Sequence, residues 1–420
     1  MNRQPKSREI ALMCAAVTCV AAVALVAAHA AAPESAAIAR LHAAFTPENR
    51  TYARVREAIA LIAPLWAIAA AYALVASGWS ARLRDVARRA ARGRWARVLV
   101  YTALAGAIVG LAQLPLAAFG DWWWERRYGL SVQTFPAWLG EQLTGAAIAW
   151  LALGASGVLA LALRVVERAG RRAWWWLACG ALPLIAAAVL LGPWVVEPAF
   201  NRFRPLGDAA LARRIVALAE RSGIPARKVL VADRSRQTRT VNAYVSGLGP
   251  SQRIVLWDTT LERLDPDAIV FVTGHEIGHA RLGHLPKGVV VAWLGACALL
   301  AAALPIVRIA IARRGGRWGV TSAADEAALP LYAAVLGALL LVTQPAACAW
   351  SRSIEHEADA YALQLTGLDA AAVRTFVAFA AEDRSDPDPP AWLRALLWTH
   401  PALVERVRFA EAWRGRAERR

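Results

Sequence analysis

Histidine is sparse in this 420-residue chain, with seven residues, and cysteine is sparser still, with five. Cys14, Cys19, Cys179, Cys297 and Cys348 all fall in apolar runs with no paired ligand spacing. That excludes a cysteine-built metal site and leaves them as small hydrophobes. Acidic residues are also few, 31 against 48 Lys and Arg, for a formal net charge of +17. In a soluble protein such a surplus suggests nucleic acid, but no nucleic-acid-binding motif is present. The arginines instead gather in short joints between apolar runs: Arg82, Arg84, Arg88, Arg89, Arg92, Arg94 and Arg97 in one, Arg164, Arg168, Arg171 and Arg172 in another. That pattern belongs to membrane topology and contact with anionic lipid. There is no internal repeat, and no low-complexity linker apart from RSDPDPP at 384–390.

Apolar residues, by contrast, are abundant: 58% of the chain is hydrophobic, 19 residues are tryptophan, and the mean hydropathy is +0.38. A bilayer-spanning helix needs about 20 predominantly apolar residues. Seven segments qualify, near Ile10–Ala32, Ala58–Trp79, Val98–Phe119, Thr144–Leu163, Ala173–Val196, Gly288–Ala312 and Ala327–Trp350. One could be a core helix, but seven with Arg-rich joints define a polytopic membrane protein. The first apolar run is longer than the h-region of a signal peptide, which predicts an uncleaved anchor.

Residues 197–286 differ from the rest. LGDAALARRIVALAERSGIP has helical apolar spacing and ends at Gly223, a position suited to a left-handed cap. KVLVAD and RIVLWD suit buried strands, and VNAYVSGLGP suits an edge strand or hairpin arm. The organisation expected is a five-span membrane domain (1–196), a soluble segment (197–286), two further spans (287–350) and a C-terminal segment (351–420).

Three of the seven histidines lie in HEIGHARLGH, 275–284. Asp265 as N-cap, Pro266 in the first turn and Gly283 at the end predict one helix carrying His275, Glu276 and His279. At four-residue spacing the two histidines share a face and can share a metal, with Glu276 beside them to act on bound water. A catalytic zinc site needs a third protein ligand. His284 is one candidate, but a continuous helix points it away, which fits a helix-end or substrate-side role better. SIEHEADAYA supplies the stronger one: Glu355 as ligand, with Asp359 one turn on to accept a hydrogen bond from a ligating histidine. Glu357 is the rival, with no carboxylate four residues later. Ala358, Ala360 and Ala362 leave room for the two helices to approach closely.

HEIGHARLGH, SRSIEHEADAYA, VNAYVSG, RIVLWDTTLE and THPALVERV, in this order, resemble the type I CAAX prenyl protease family of membrane-embedded zinc metalloendopeptidases. The resemblance extends to FTPENRTYARVREA, WWWERRYGLSVQTFPAWL and VVEPAFNRFRPL. It implies one Zn²⁺ per chain on His275, His279 and Glu355, with Glu276 as general base and Asp359 orienting a zinc-bound histidine. It further implies His400 as a transition-state contact and Asn242, Tyr244 and Arg406 as substrate-side residues. TRTVNAY departs from the eukaryotic members in lacking a His-Ser pair before Asn242.

The fold class expected is therefore mainly α, a polytopic membrane protein with about seven transmembrane helices. A small α+β zincin-like catalytic domain is inserted between spans five and six. The partners expected are a peptide or protein substrate and the lipid bilayer, with no nucleic acid. The heavy Ala and Arg usage points to a bacterial inner membrane, where membrane or lipoprotein-like peptides are more plausible substrates than prenylated ones. The competing function is a membrane zinc carrier or sensor, but carriers place ligands inside their spans, and Glu276 has no task there.

Overall fold

The structure is a computed structural model and describes residues 35–225, 228–247, 249 and 252–417. The apolar run Ile10–Ala32 and residues Cys14, Cys19 and His29 lie outside the described residues. The protein is mainly helical with one small sheet.

The helices of the first half are α1 (Ala36–Ala44), α2 (Pro47–Ala76), α3 (Trp79–Ala90), α4 (Arg94–Ala117), α5 (Phe135–Trp150), α6 (Val158–Ala169) and α7 (Ala173–Leu191). Five helical segments among the described residues are long and apolar enough to cross a membrane: Pro47–Ala76, Arg94–Arg127, Phe135–Phe200 (interrupted at Ser156 and Gly157), His284–Trp318 and Glu326–Thr366. Their apolar side chains face outward, Val342 for instance being 77% exposed, as suits a surface solvated by lipid. The expectation of a span at Thr144–Leu163 needs correction. The chain turns at Gly157, whose φ of 79° is left-handed, so that run is divided between α5 with its π-helical extension to Ala155 and the amphipathic α6. Hydropathy counts apolar residues and is blind to a glycine turn within them.

Not all the joint arginines are free for lipid. Arg84, buried on α3, donates to Asp325 Oδ2 at 2.6 Å, and Arg88 and Arg97 pair with Glu326 at 3.2 and 3.6 Å. These pairs clamp α3 and the start of α4 to the turn joining the last two membrane helices.

The second half holds α8 (Ala209–Arg221), α9 (Asp258–Arg263), α10 (Pro266–Arg281), α11 (His284–Trp318), α12 (Leu329–Thr366), α13 (Asp369–Glu382), α14 (Ala391–Leu397) and α15 (Leu403–Ala417). Its strands are β1 (Phe203–Pro205), β2 (Val229–Ala232), β3 (Ala243–Ser246) and β4 (Arg253–Trp257), in the order β1-β2-β4-β3. β2 and β4 pair in parallel, and β3 pairs antiparallel to β4 as the edge strand expected from VNAYVSGLGP. β1 is an addition: a three-residue strand ending in proline carries too short a pattern to be read from sequence.

Ile215, Ile254, Leu256 and Ile277 form a core between the sheet, α8 and α10. Glu197, at the end of a membrane helix, anchors β3 by accepting from Tyr244 Oη at 3.2 Å and Ser246 Oγ at 2.6 Å.

Candidate metal and active site

α10 starts as its sequence predicts. The Asp265 carboxylate accepts from the N–H groups of Asp267 and Ala268, both at 3.0 Å, and Pro266 occupies the first turn. His275 and His279 emerge one turn apart toward α12. The two helices can meet because Gly274 and Gly278 oppose Ala362 and Ala358, both fully buried. A Cβ on Gly278 would stand 3.3 Å from the Ala358 carbonyl oxygen. Ala360, also expected at this contact, is only half-buried.

This close approach brings Glu355 to the histidines. One donor atom each from His275, His279 and Glu355 lies within 4.8 Å of the others. The Nε2 atoms of the histidines are 3.1 Å apart, and Glu355 reaches them at 3.1 and 3.4 Å. The outer ring nitrogens are occupied. His275 Nδ1 is 2.9 Å from Asp359 Oδ1, and His279 Nδ1 is 2.8 Å from His284 Nδ1. With each Nδ1–H donating outward, both Nε2 lone pairs and the Glu355 carboxylate converge on one point. Three acceptors facing each other without a proton is an arrangement that a cation satisfies, and the two-His, one-carboxylate set is the donor chemistry of a hydrolytic metal site. Burial lowers the basicity of His275, but hydrogen bonds to Asp359 and Glu355 outweigh it and raise the pKa to about 10. In the absence of a metal that cation is therefore a proton on His275 Nε2, shared with Glu355, which a bound metal would displace.

A second layer holds the ligands in place. Arg406, buried and stacked 4.4 Å over the Phe376 ring, donates to both oxygens of Asp359 at 2.8 and 2.6 Å. On the other side, Gly283 is left-handed with φ 67°, which ends α10 and swings His284 back toward His279. That sharp break is what a continuous helix lacks. It still brings His284 behind His279 rather than among the ligands, with its Nε2 3.3 Å from the exposed Glu357. Glu357 is therefore bound to His284 and not to the donor cluster.

Glu276 lines a cavity of about 560 Å³ together with His275, Asn242, Ala243, His400 and Arg406. Burial raises its pKa, with the two histidines opposing. His400 stands on the loop between α14 and α15, its Nε2 3.3 Å from Glu355 Oε2 and its Nδ1 3.1 Å from the Thr399 hydroxyl. Arg352 fixes that loop by donating to the Trp398 carbonyl at 2.7 Å. Asn242 is exposed at the mouth of β3, its Oδ1 capping the N–H of Ala243 at 2.8 Å. Tyr244 is not among the cavity-lining residues; strand alternation directs it with Ser246 to Glu197. Arg406 reaches the cavity wall, but its guanidinium is committed to Asp359.

The cavity also takes Arg56 and Glu57 from α2, and Asp383 and Asp386 from the segment after α13. Neither Arg56 nor Glu57 is among the site residues expected from sequence. FTPENRTYARVREA carried the signal, since a membrane helix bearing Arg56 and Glu57 near its start needs a polar surface to face.

An HExxH helix, a carboxylate ligand from a second helix and a cavity set against membrane spans together define a membrane metalloprotease. Comparison with known proteins agrees: residues 205–414 match the model of peptidase family M48, and residues 23–202 match that of the CAAX prenyl protease N-terminal region, described as five membrane helices. The chain belongs to peptidase family M48. It is 30% identical over 343 residues to the uncharacterized metalloprotease YhfN of Bacillus subtilis, covering 81% of this chain and 79% of that one. It is 27% identical over 326 residues to CAAX prenyl protease 1 of Saccharomyces cerevisiae, covering 74% and 71%. The fold is shared with the crystal structure of S. mikatae Ste24p, at a TM-score of 0.77 and 24% identity over 88% of this chain and 89% of the other.

Proposed function

We propose that this metalloprotease is a zinc endopeptidase that hydrolyses peptides drawn into the cavity between its membrane helices and its sheet. The observation that carries the proposal is the convergence of His275 Nε2, His279 Nε2 and Glu355 beside Glu276. One Zn²⁺ would be held by those three residues and would supply Lewis acidity to a water and to the scissile carbonyl. Glu276 takes the proton of the attacking water and passes it to the leaving amine; burial, by raising its pKa, suits it to hold that proton between the two steps. His400, exposed on its loop and facing Glu355, donates its Nε2–H to the developing oxyanion. Asp359, gripped by Arg406, keeps His275 in the tautomer that leaves Nε2 free to ligate. The outer edge of β3 is unpaired among the described residues and offers an extended peptide a backbone ladder beside Asn242. Backbone pairing of that kind gives loose sequence preference.

We also infer two spans within Phe135–Phe200, because 66 helical residues would extend about 99 Å, roughly three hydrocarbon thicknesses. Left-handed Gly157 and Gly170 provide the reversal. That gives six among the described residues, and the span expected from sequence at Ile10–Ala32, outside them, would be the seventh. We assign the protein to a bacterial inner membrane, and its substrates to peptides of membrane or lipoprotein origin.

The test is peptide cleavage by purified protein in detergent, with zinc counted per chain, for wild type, Glu276→Gln and Glu355→Gln. Glu276→Gln should keep its zinc and lose about 10²- to 10⁴-fold in cleavage, whereas Glu355→Gln should lose both. Zinc-loaded wild type that cleaves nothing across a broad peptide pool would return the protein to the carrier or sensor class.

A further inference from the structure

A second cavity, of about 490 Å³, lies far from the proposed metal site, between α2, α11 and α12. Its walls are apolar: Ile68 from α2, Ile306 and Ile309 from α11, Ala334 from α12. Ile306 and Ile309 are 42% and 52% exposed, so the groove opens sideways onto whatever surrounds the membrane helices. No acidic residue lines it.

The groove is polar at one end only. From Ile306 to Arg314 the helix rises about 12 Å, and over that distance the lining changes from aliphatic to Arg313 and Arg314. Arg314 Nη1 donates to Tyr72 Oη at 3.2 Å, and the Tyr72 and Trp318 rings meet edge-to-face with centroids 6.0 Å apart. Tyr and Trp beside a pair of arginines, at one end of an aliphatic groove, is the residue mixture of a membrane–water interface. Neither arginine has a carboxylate partner among the described residues. The nearby acids of the α11–α12 turn are already taken, Asp325 by Arg84 and Glu326 by Arg88 and Arg97. Two exposed guanidinium groups at the head of an apolar groove thus lack an anion.

We propose that this groove is a binding site for one anionic phospholipid, with its phosphate on Arg313 and Arg314 and an acyl chain along Ile306, Ile309 and Ile68. The apolar wall selects a lipid over a soluble phosphate, because only a chain covers the exposed isoleucines. The second arginine selects an anionic headgroup over phosphatidylcholine, whose trimethylammonium would be brought against it. The site is independent of the peptidase chemistry.

Native mass spectrometry of the full chain in detergent tests the proposal, with phosphatidylglycerol and phosphatidylcholine of identical acyl chains. Wild type should bind one phosphatidylglycerol about tenfold more tightly than phosphatidylcholine, the scale expected from two juxtamembrane arginines. Arg313→Gln/Arg314→Gln should lose that preference, Arg313→Lys/Arg314→Lys should keep most of it, and Arg171→Gln/Arg172→Gln at another joint should leave it intact. Equal binding of the two lipids by wild type overturns the proposal, even if the glutamine variant fails to fold. So does a preference that survives in that variant, or full displacement of the lipid by soluble glycerol phosphate, which would reveal a simple anion site.

Discussion

The Nδ1 atoms of His279 and His284 lie 2.8 Å apart across the left-handed turn at Gly283. Only one of two facing ring nitrogens can carry the proton. For His279 to present a bare Nε2 to a metal, its Nδ1 must donate and His284 must accept; His284 then donates from Nε2 toward Glu357, 3.3 Å away. Glu357, His284 and His279 thus mirror Arg406, Asp359 and His275 on the opposite side of the donor cluster. His284→Ala should therefore weaken zinc affinity by about 10- to 100-fold while the protein stays folded. Chelator competition measures it. Glu357→Gln should do less, because that carboxylate is exposed. Unchanged zinc affinity in His284→Ala would leave the histidine as a helix-start residue with no bearing on the site.

The bidentate pair between Arg406 and Asp359 makes a different prediction, on stability. Both side chains are buried, so Arg406→Met strands a carboxylate beside His275 with no countercharge. The cost expected is roughly 3–5 kcal/mol, read as a fall in thermal midpoint. Arg406→Lys keeps the charge but not the planar fork, and should fall between wild type and Arg406→Met. A midpoint for Arg406→Met matching wild type would mean that water reaches Asp359.

Local spacing made the donor cluster legible: His275 with His279, and Glu355 with Asp359, are four apart on helices whose caps are also written locally. The long-range contacts that complete the fold and position the site were not legible, for the same physical reason. Arg84 and Asp325 are 241 residues apart, and no periodicity links them. Tyr244 belongs to the predicted edge strand, but which face it takes depends on Glu197, 47 residues earlier. His284 depended on one backbone angle at Gly283. Sequence resemblance made up part of this gap by naming Asn242, His400 and Arg406 together. It assigned Arg406 to the substrate side, whereas the structure commits that guanidinium to Asp359.

Gly278 converts the two-helix origin of the ligands into a test. A methyl there would lie 3.2 Å from Tyr361 Cδ1 and 3.3 Å from the Ala358 carbonyl oxygen, and the backbone oxygen cannot rotate away. Gly278→Ala should force α10 and α12 apart by a few tenths of an ångström, at roughly 1–3 kcal/mol. Because His275 and His279 ride on one helix and Glu355 on the other, zinc affinity should fall with stability. Gly274→Ala is too close only to a Thr366 methyl, at 2.8 Å, a side-chain end, its contacts with Ala362 being ordinary at 3.7 and 3.8 Å, and Thr366→Ser should relieve it. Wild-type zinc binding in Gly278→Ala would show that the helices tolerate separation at the site.

Asp383 carries the pH prediction. It follows α13, lines the large cavity, and has one carboxylate oxygen sealed from solvent without a hydrogen-bond partner. Burial pushes its pKa up to about 7, against the pull of Arg263. The unfolded value is near 3.9. Below about pH 4 both states are protonated and the residue costs nothing. As the pH rises from 4 to 7 the unfolded chain ionises while the folded one holds its proton, so stability falls; above 7 the full penalty persists. Asp383→Asn cannot ionise and escapes this. Its thermal midpoint relative to wild type should climb between pH 4 and 7 and then level off. A difference that stays flat across that range would mean that Asp383 is solvated and ionises at its ordinary value.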